Sequence, residues 1–209
     1  MFPAEVLAAY LVAVLLVVIA PGPDNILAIS RGLSQGRAAA VLSSVGAGLG
    51  IMVHTTAAAL GLTLVIQASP AAFWAVKLIG AAYLLWLGFK ALASRNLISF
   101  TPAARQSLPR VFATGLLSNV LNPKPGLFVL AFIPQFVSAS RGSVTVQMLV
   151  CGAIFAVLTA IIFSVLGCYA ARLSGWLERR PRATGWLNFG AGATFIASGV
   201  SILVLGNRR

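Results

Sequence analysis

The sequence predicts an all-α, polytopic membrane protein of six transmembrane helices, arranged as two inverted three-helix repeats whose first helices are broken. Three observations lead there. Hydrophobic residues make up 59% of the 209 residues and charged residues only 9%, against roughly 25% charge in an ordinary soluble domain. Uncharged runs are long: Val6 to Pro23, Ala38 to Val76, Gly142 to Ala171 and Ala183 to Asn207, and about 18 or more consecutive apolar residues suffice to span a bilayer. Two apolar segments are interrupted by closely similar Pro-Gly-Asn clusters, each at the start of three consecutive spans. This composition excludes a soluble enzyme, a disulfide scaffold and a disordered tail.

The first span is expected at about Val6 to Ser30, broken at Pro21-Gly22-Pro23-Asp24-Asn25. With no basic stretch before it and Glu5 in its place, the N-terminal segment is expected to be a retained membrane helix and not a secretory signal. The second span follows at about Ala38 to Ile66, then a turn at Gln67-Ala68-Ser69-Pro70 and a third span at about Ala71 to Leu92. Repeat 1 is therefore about residues 1–92. A basic loop at about 93–110 leads to repeat 2, about 111–209, and the chain forms a single transmembrane domain. The fourth span, about Val111 to Val137, is broken at Asn122-Pro123-Lys124-Pro125-Gly126. The fifth is expected at about Val144 to Ala171, followed by a second basic loop with Arg172, Glu178, Arg179, Arg180 and Arg182, and the sixth at about Gly185 to Leu205.

The net charge of +12, from 15 basic and 3 acidic residues, suggests nucleic acid only at first sight. The basic residues form no continuous stripe. Assigned to the spans above, ten of them (Arg31, Arg37, Lys90, Arg95, Arg105, Arg110, Arg172, Arg179, Arg180, Arg182) fall on one side. Three (Arg141, Arg208, Arg209) fall on the other, and Lys77 and Lys124 lie within spans. Lys/Arg excess marks the cytoplasmic side, so both termini are expected outside the cytoplasm. If the first span does not cross, only the N-terminus changes side. Cys151 and Cys168 share one apolar run, too far apart along a helix to bond, and are expected as buried thiols. No metal-binding spacing is present, and neither a metal nor a cofactor is expected.

The breaks carry the functional signal. Val6 to Ala20 would make roughly 22 Å of helix, and the halves of the fourth span roughly 16–18 Å each. None crosses a core of about 30 Å. The interruptions therefore fall within the membrane, where irregular backbone persists only if it lines a cavity or is buried in protein. Paired broken helices in an inverted repeat point to a transporter's substrate site.

Several segments together resemble the LysE/RhtB family of bacterial amino-acid exporters. They are Pro21-Gly22-Pro23-Asp24-Asn25; Gly46-Ala-Gly48-Leu-Gly50-Ile-Met-Val-His54; Gly80-Ala-Ala-Tyr83-Leu-Leu-Trp86-Leu-Gly88; Asn122-Pro123-Lys124; and Ile133-Pro134-Gln135-Phe136. The resemblance covers nearly the whole chain. It implies a multi-pass secondary exporter of the bacterial inner membrane, driven by protons, with an amino acid as its partner molecule. Exporters of basic amino acids in the family often have an acidic residue in the second span. Here that span has none, and the expectation shifts to neutral amino acids or derivatives. A cation or small-solute transporter or channel on the same fold is the alternative; a nucleic-acid partner and an enzyme are not expected. A homo-oligomer is compatible with this build.

Asp24 is the sole carboxylate placed inside the membrane, where ionisable groups are costly and usually functional. It is expected either to hold a substrate ammonium or a proton, or to cap the half-helix that follows it. Lys124, or the helix N-terminus beside it, is suited to the substrate carboxylate; the alternative is a lock with Asp24. Asp24, Asn25, Pro21, Gly22, Pro23, Asn122, Pro123, Lys124 and Tyr83 form the candidate binding set. Asp24 and His54 are the proton-coupling candidates, with a hydrogen-bonded packing role as the alternative for His54. Asn119 and Gln135 are expected to satisfy backbone groups freed by the breaks, and Lys77 to snorkel to the interface.

Overall fold

The computed structural model describes residues 2–68, 70–93 and 102–179, with short helical pieces between 185 and 203. Among the described residues all regular structure is helical: α1 (Ala4–Ile19), α2 (Pro23–Gln35), α3 (Arg37–Ala68), α4 (Pro70–Ala93), α5 (Leu108–Leu121), α6 (Pro123–Phe132), α7 (Val144–Cys168) and α8 (Ala170–Glu178). Two 3-10 turns, Ile133–Phe136 and Ala139–Arg141, connect α6 to α7. By length and composition, Arg37–Gly61 and Val144–Cys168 can each cross a membrane, and α1 with α2 and α5 with α6 are two bent pairs apolar enough to do so together, which makes two to four candidate spans. The bends are 57° and 52°.

Both breaks lie where the prolines require them. Pro21 and Pro23 lack the N–H groups that would bond to the carbonyls of Val17 and Ile19, so α1 ends at Ile19 and the chain restarts at Pro23. Pro123 withholds the donor for Asn119, and Asn122 alone separates α5 from α6.

α3 is the axis of the bundle, packed along α5 on one side and α7 on the other, with α2, α4 and α6 also against it. Small residues permit the approach: a Cβ on Gly46 would strike the backbone of α5 at Phe112, and one on Gly115 the backbone of α3 at Ser43. α1 turns Tyr10, Val14, Val17 and Val18 inward, and the Tyr10 hydroxyl donates to the Cys151 carbonyl on α7 at 2.6 Å. Its opposite face, with Val12, Leu15, Leu16 and Ile19, is exposed, as suits a helix bordered by hydrocarbon. Both cysteines are free; Cys151 is buried and Cys168 half-buried.

Two segments depart from the sequence expectation. The second basic loop is helical as far as Glu178, because after the turn at Tyr169 no proline intervenes before Pro181 and α8 can form. Arg31, counted above as a topology charge, is buried. Its guanidinium donates to the Ala104 carbonyl at 2.6 Å, to Gln106 at 2.7 Å and to Gln35 at 3.2 Å. Gln35 in turn donates to the Gln106 carbonyl at 2.7 Å. The linker between the repeats is thereby strapped to the end of α2. The side chains of Lys77 and Glu178, and residues Ser69, Arg95, Arg180, Arg182, Arg208 and Arg209, lie outside the described residues.

Candidate functional site

The two breaks meet. Asp24, in the first turn of α2, is 6% exposed. It does not cap its own helix. One carboxylate oxygen accepts from Ser118 Oγ at 2.8 Å; the other accepts from Asn119 Nδ2 at 2.8 Å and Asn122 Nδ2 at 3.0 Å. All three donors belong to the end of α5. Hydrogen bonds to an ionised acceptor are stronger than neutral ones, so Asp24 clamps the first break onto the second.

Lys124 occupies the corresponding place in the second break, directly after Pro123 as Asp24 follows Pro23. Its ammonium donates to the Ala20 carbonyl at 2.8 Å, at the C-terminal end of α1, where the helix dipole favours a cation. It runs along Gly22, where a Cβ would lie 3.1 Å from Nζ. It also sits 5.4 Å from the centre of the Phe195 ring, a cation–π distance. Each break thus sends its charged side chain to the end of the first helix of the other bent pair.

The asparagines do the local work. Asn25 accepts from Gly22 N–H at 2.8 Å and donates to the Ala20 carbonyl at 3.0 Å, bracing both sides of the first break. Asn122 caps α6 by accepting from Lys124 N–H at 3.0 Å while its amide reaches Asp24. His54, on α3, places Nε2 3.1 Å from the Asn119 carbonyl. That carbonyl is an acceptor, so Nε2 carries the proton and joins the Asn122 N–H, which donates to the same oxygen at 3.0 Å. The ring lies against Gly126, where a Cβ would come within 2.9 Å of it.

A cavity of about 30 Å³ lies at this junction, room for about one water molecule. Gly22, Asp24, Asn25, Asn122 and Lys124 of the sequence-derived set line it, as does Asn119. Val17, Val18 and Ile51 add apolar wall, and α7 contributes Phe155, Thr159 and Phe163. Pro21, Pro23 and Pro123 shape the breaks but are not among the lining residues; Pro23 and Pro123 are exposed. Tyr83 is half-buried on α4 with its ring 5.4 Å from that of Trp86, also outside the lining. Ser118 and Thr159 were not singled out from sequence. Ser118 lies four residues before Asn122, on the same helix face, a spacing that could have flagged it. Thr159 offered only a hydroxyl in mid-span. Among the described residues no cluster of His, Cys, Asp or Glu could hold a metal ion.

Two broken membrane helices whose irregular segments meet on a polar, charged cavity give the build of a membrane transporter. The chain belongs to the LysE type translocator family, whose model matches residues 15–206. It is 31% identical over 199 residues to an uncharacterized membrane protein of Pseudomonas aeruginosa, covering 92% of each chain. It is 30% identical over 192 residues to the homoserine/homoserine lactone efflux protein of Salmonella typhimurium, covering 91% of this chain and 92% of that one. It is 27% identical over 175 residues to the leucine efflux protein of an Enterobacter species, covering 83% of each. No solved structure matches the chain.

Proposed function

We propose that this translocator exports neutral amino acids or close derivatives across the bacterial inner membrane, in exchange for protons, through the cavity between its two helix breaks. The observation that carries the reading is the arrangement of one buried carboxylate and one ammonium, supplied by different repeats, on a shared cavity. A zwitterion needs such a pair. Its ammonium takes the place of the neutral donors on Asp24, and its carboxylate meets Lys124 and the N-terminus of α6. The names of the relatives, efflux proteins for homoserine and leucine, agree with a neutral substrate.

The present cavity is far smaller than an amino acid, so binding requires the breaks to part. Asp24 supplies the means. Protonation removes the charge that strengthens its bonds to Ser118, Asn119 and Asn122, loosening α2 from the end of α5. A proton arriving from outside and a substrate ammonium arriving from inside compete for the same carboxylate, which couples the two fluxes. The six-span inverted repeat, with both termini outside the cytoplasm, places the breaks at matching depth and belongs to the same proposal.

The test is export from cells loaded with a panel of amino acids, with and without expression of the chain. Faster appearance of neutral amino acids outside is the expected result. Cation flux without any amino-acid requirement, or no amino acid exported, overturns the reading.

A further inference from the structure

Two buried hydroxyls on α3 turn back on their own backbone. Ser44 donates to the Ala40 carbonyl at 2.7 Å and Thr55 to the Ile51 carbonyl at 2.8 Å, the usual bond to the residue four positions earlier. Thr159 does not. It is 2% exposed and its Oγ1 has no hydrogen-bond partner, although an unmade hydrogen bond in a buried site is costly. Two other buried side-chain atoms among the described residues share that lack, Arg31 Nε and Asn119 Oδ1. Arg31 belongs to the linker strap, and the Asn119 oxygen lies against Gly50, where a Cβ would come within 2.6 Å of it. Asn119 and Thr159 both line the cavity, but the amide of Asn119 is already committed to Asp24, whereas the Thr159 hydroxyl is committed to nothing.

Its neighbours say which part of a substrate it meets. Phe155, Thr159 and Phe163 stand four residues apart on α7, so the hydroxyl lies between two aromatic side chains on one helix face. The charged groups that line the same cavity, Asp24 and Lys124, come from the two breaks, where the ammonium and carboxylate of a zwitterion would be held. The substrate's side chain is then directed at the α7 wall. That wall is apolar except for one unpaired hydroxyl. An aromatic pocket alone discriminates weakly against an added hydroxyl, whereas a pocket with an unpaired polar group favours the ligand that pairs with it.

We infer that Thr159 is a specificity-determining residue that selects amino acids carrying a side-chain hydroxyl over alkyl analogues of the same shape. The inference rests on the export reading above and adds a contact to it. Threonine and valine are the probe pair, because they differ by hydroxyl against methyl at nearly equal volume.

The experiment measures efflux of labelled threonine and valine from cells expressing the full chain, as wild type, Thr159→Val and Thr159→Ser, with membrane levels determined in parallel. Wild type is expected to export threonine in preference to valine. Thr159→Val is expected to reduce the threonine-to-valine ratio about tenfold, the scale of one net hydrogen bond, and Thr159→Ser to retain it. Ligand-dependent thermal stabilisation of the purified proteins by the same two amino acids gives a second readout that needs no flux. A wild type that prefers valine, an unchanged ratio in Thr159→Val, or an equal loss of both fluxes at normal membrane level overturns the inference. Export of neither amino acid by wild type instead contradicts the export reading itself.

Discussion

At the scale of single residues, the site is built by substitution of one hydrogen-bond donor for another. Pro123 removes the N–H that Asn119 would have used in a continuous helix, and the Asn122 N–H and the His54 ring on α3 bond its carbonyl instead. This role is separable from titration. In His54→Gln the side-chain amide can still donate, and the variant is expected to melt close to wild type in detergent and to keep its dependence on a pH gradient. His54→Leu removes one of the two donors on that carbonyl and is expected to lose about 1 kcal/mol. Equal destabilisation in the two variants would show that the hydrogen bond is immaterial. The sequence made Asp24 and Lys124 legible, because an ionised side chain inside an apolar span is rare enough to stand out. It did not make their partners legible. Asp24 is as good an N-cap as any aspartate, and only the approach of α5 shows that its oxygens are committed to Ser118, Asn119 and Asn122 instead. Thr159 was invisible for the same reason: its significance is a missing bond, and a sequence records no bonds.

At the scale of elements, the breaks were legible to within a residue or two, since proline acts locally and without regard to tertiary context. The ends of the other helices depend on what they pack against. α8 occupies a segment expected as loop, and the linker between the repeats is held against α2. The buried Arg31 achieves this with a forked guanidinium that reaches the Ala104 carbonyl and the Gln106 side chain together. Lysine cannot reproduce that fork. Arg31→Lys is therefore expected to lose about 2 kcal/mol, the worth of a hydrogen bond to a charged group, and to render the linker near Ala104 more sensitive to limited proteolysis in purified protein. Unchanged melting and unchanged cleavage would show that the strap contributes nothing to the fold.

At the scale of the whole molecule, the account joins two halves through reciprocal charges. The α1–α2 pair contributes the carboxylate that grips the end of α5, and the α5–α6 pair the ammonium that grips the end of α1. In the proposed topology, the excess of basic residues, prominent in the composition, mostly concerns orientation in the membrane. The scarcity of acidic ones concerns mechanism, because it leaves Asp24 as the carboxylate on the cavity. Purified protein in liposomes, with a pH gradient imposed and flux of a labelled neutral amino acid followed, tests this most directly when wild type is compared with Asp24→Asn. The account predicts gradient-driven flux in wild type and its loss in Asp24→Asn at equal protein incorporation. Gradient-driven flux at the wild-type rate in Asp24→Asn would contradict it.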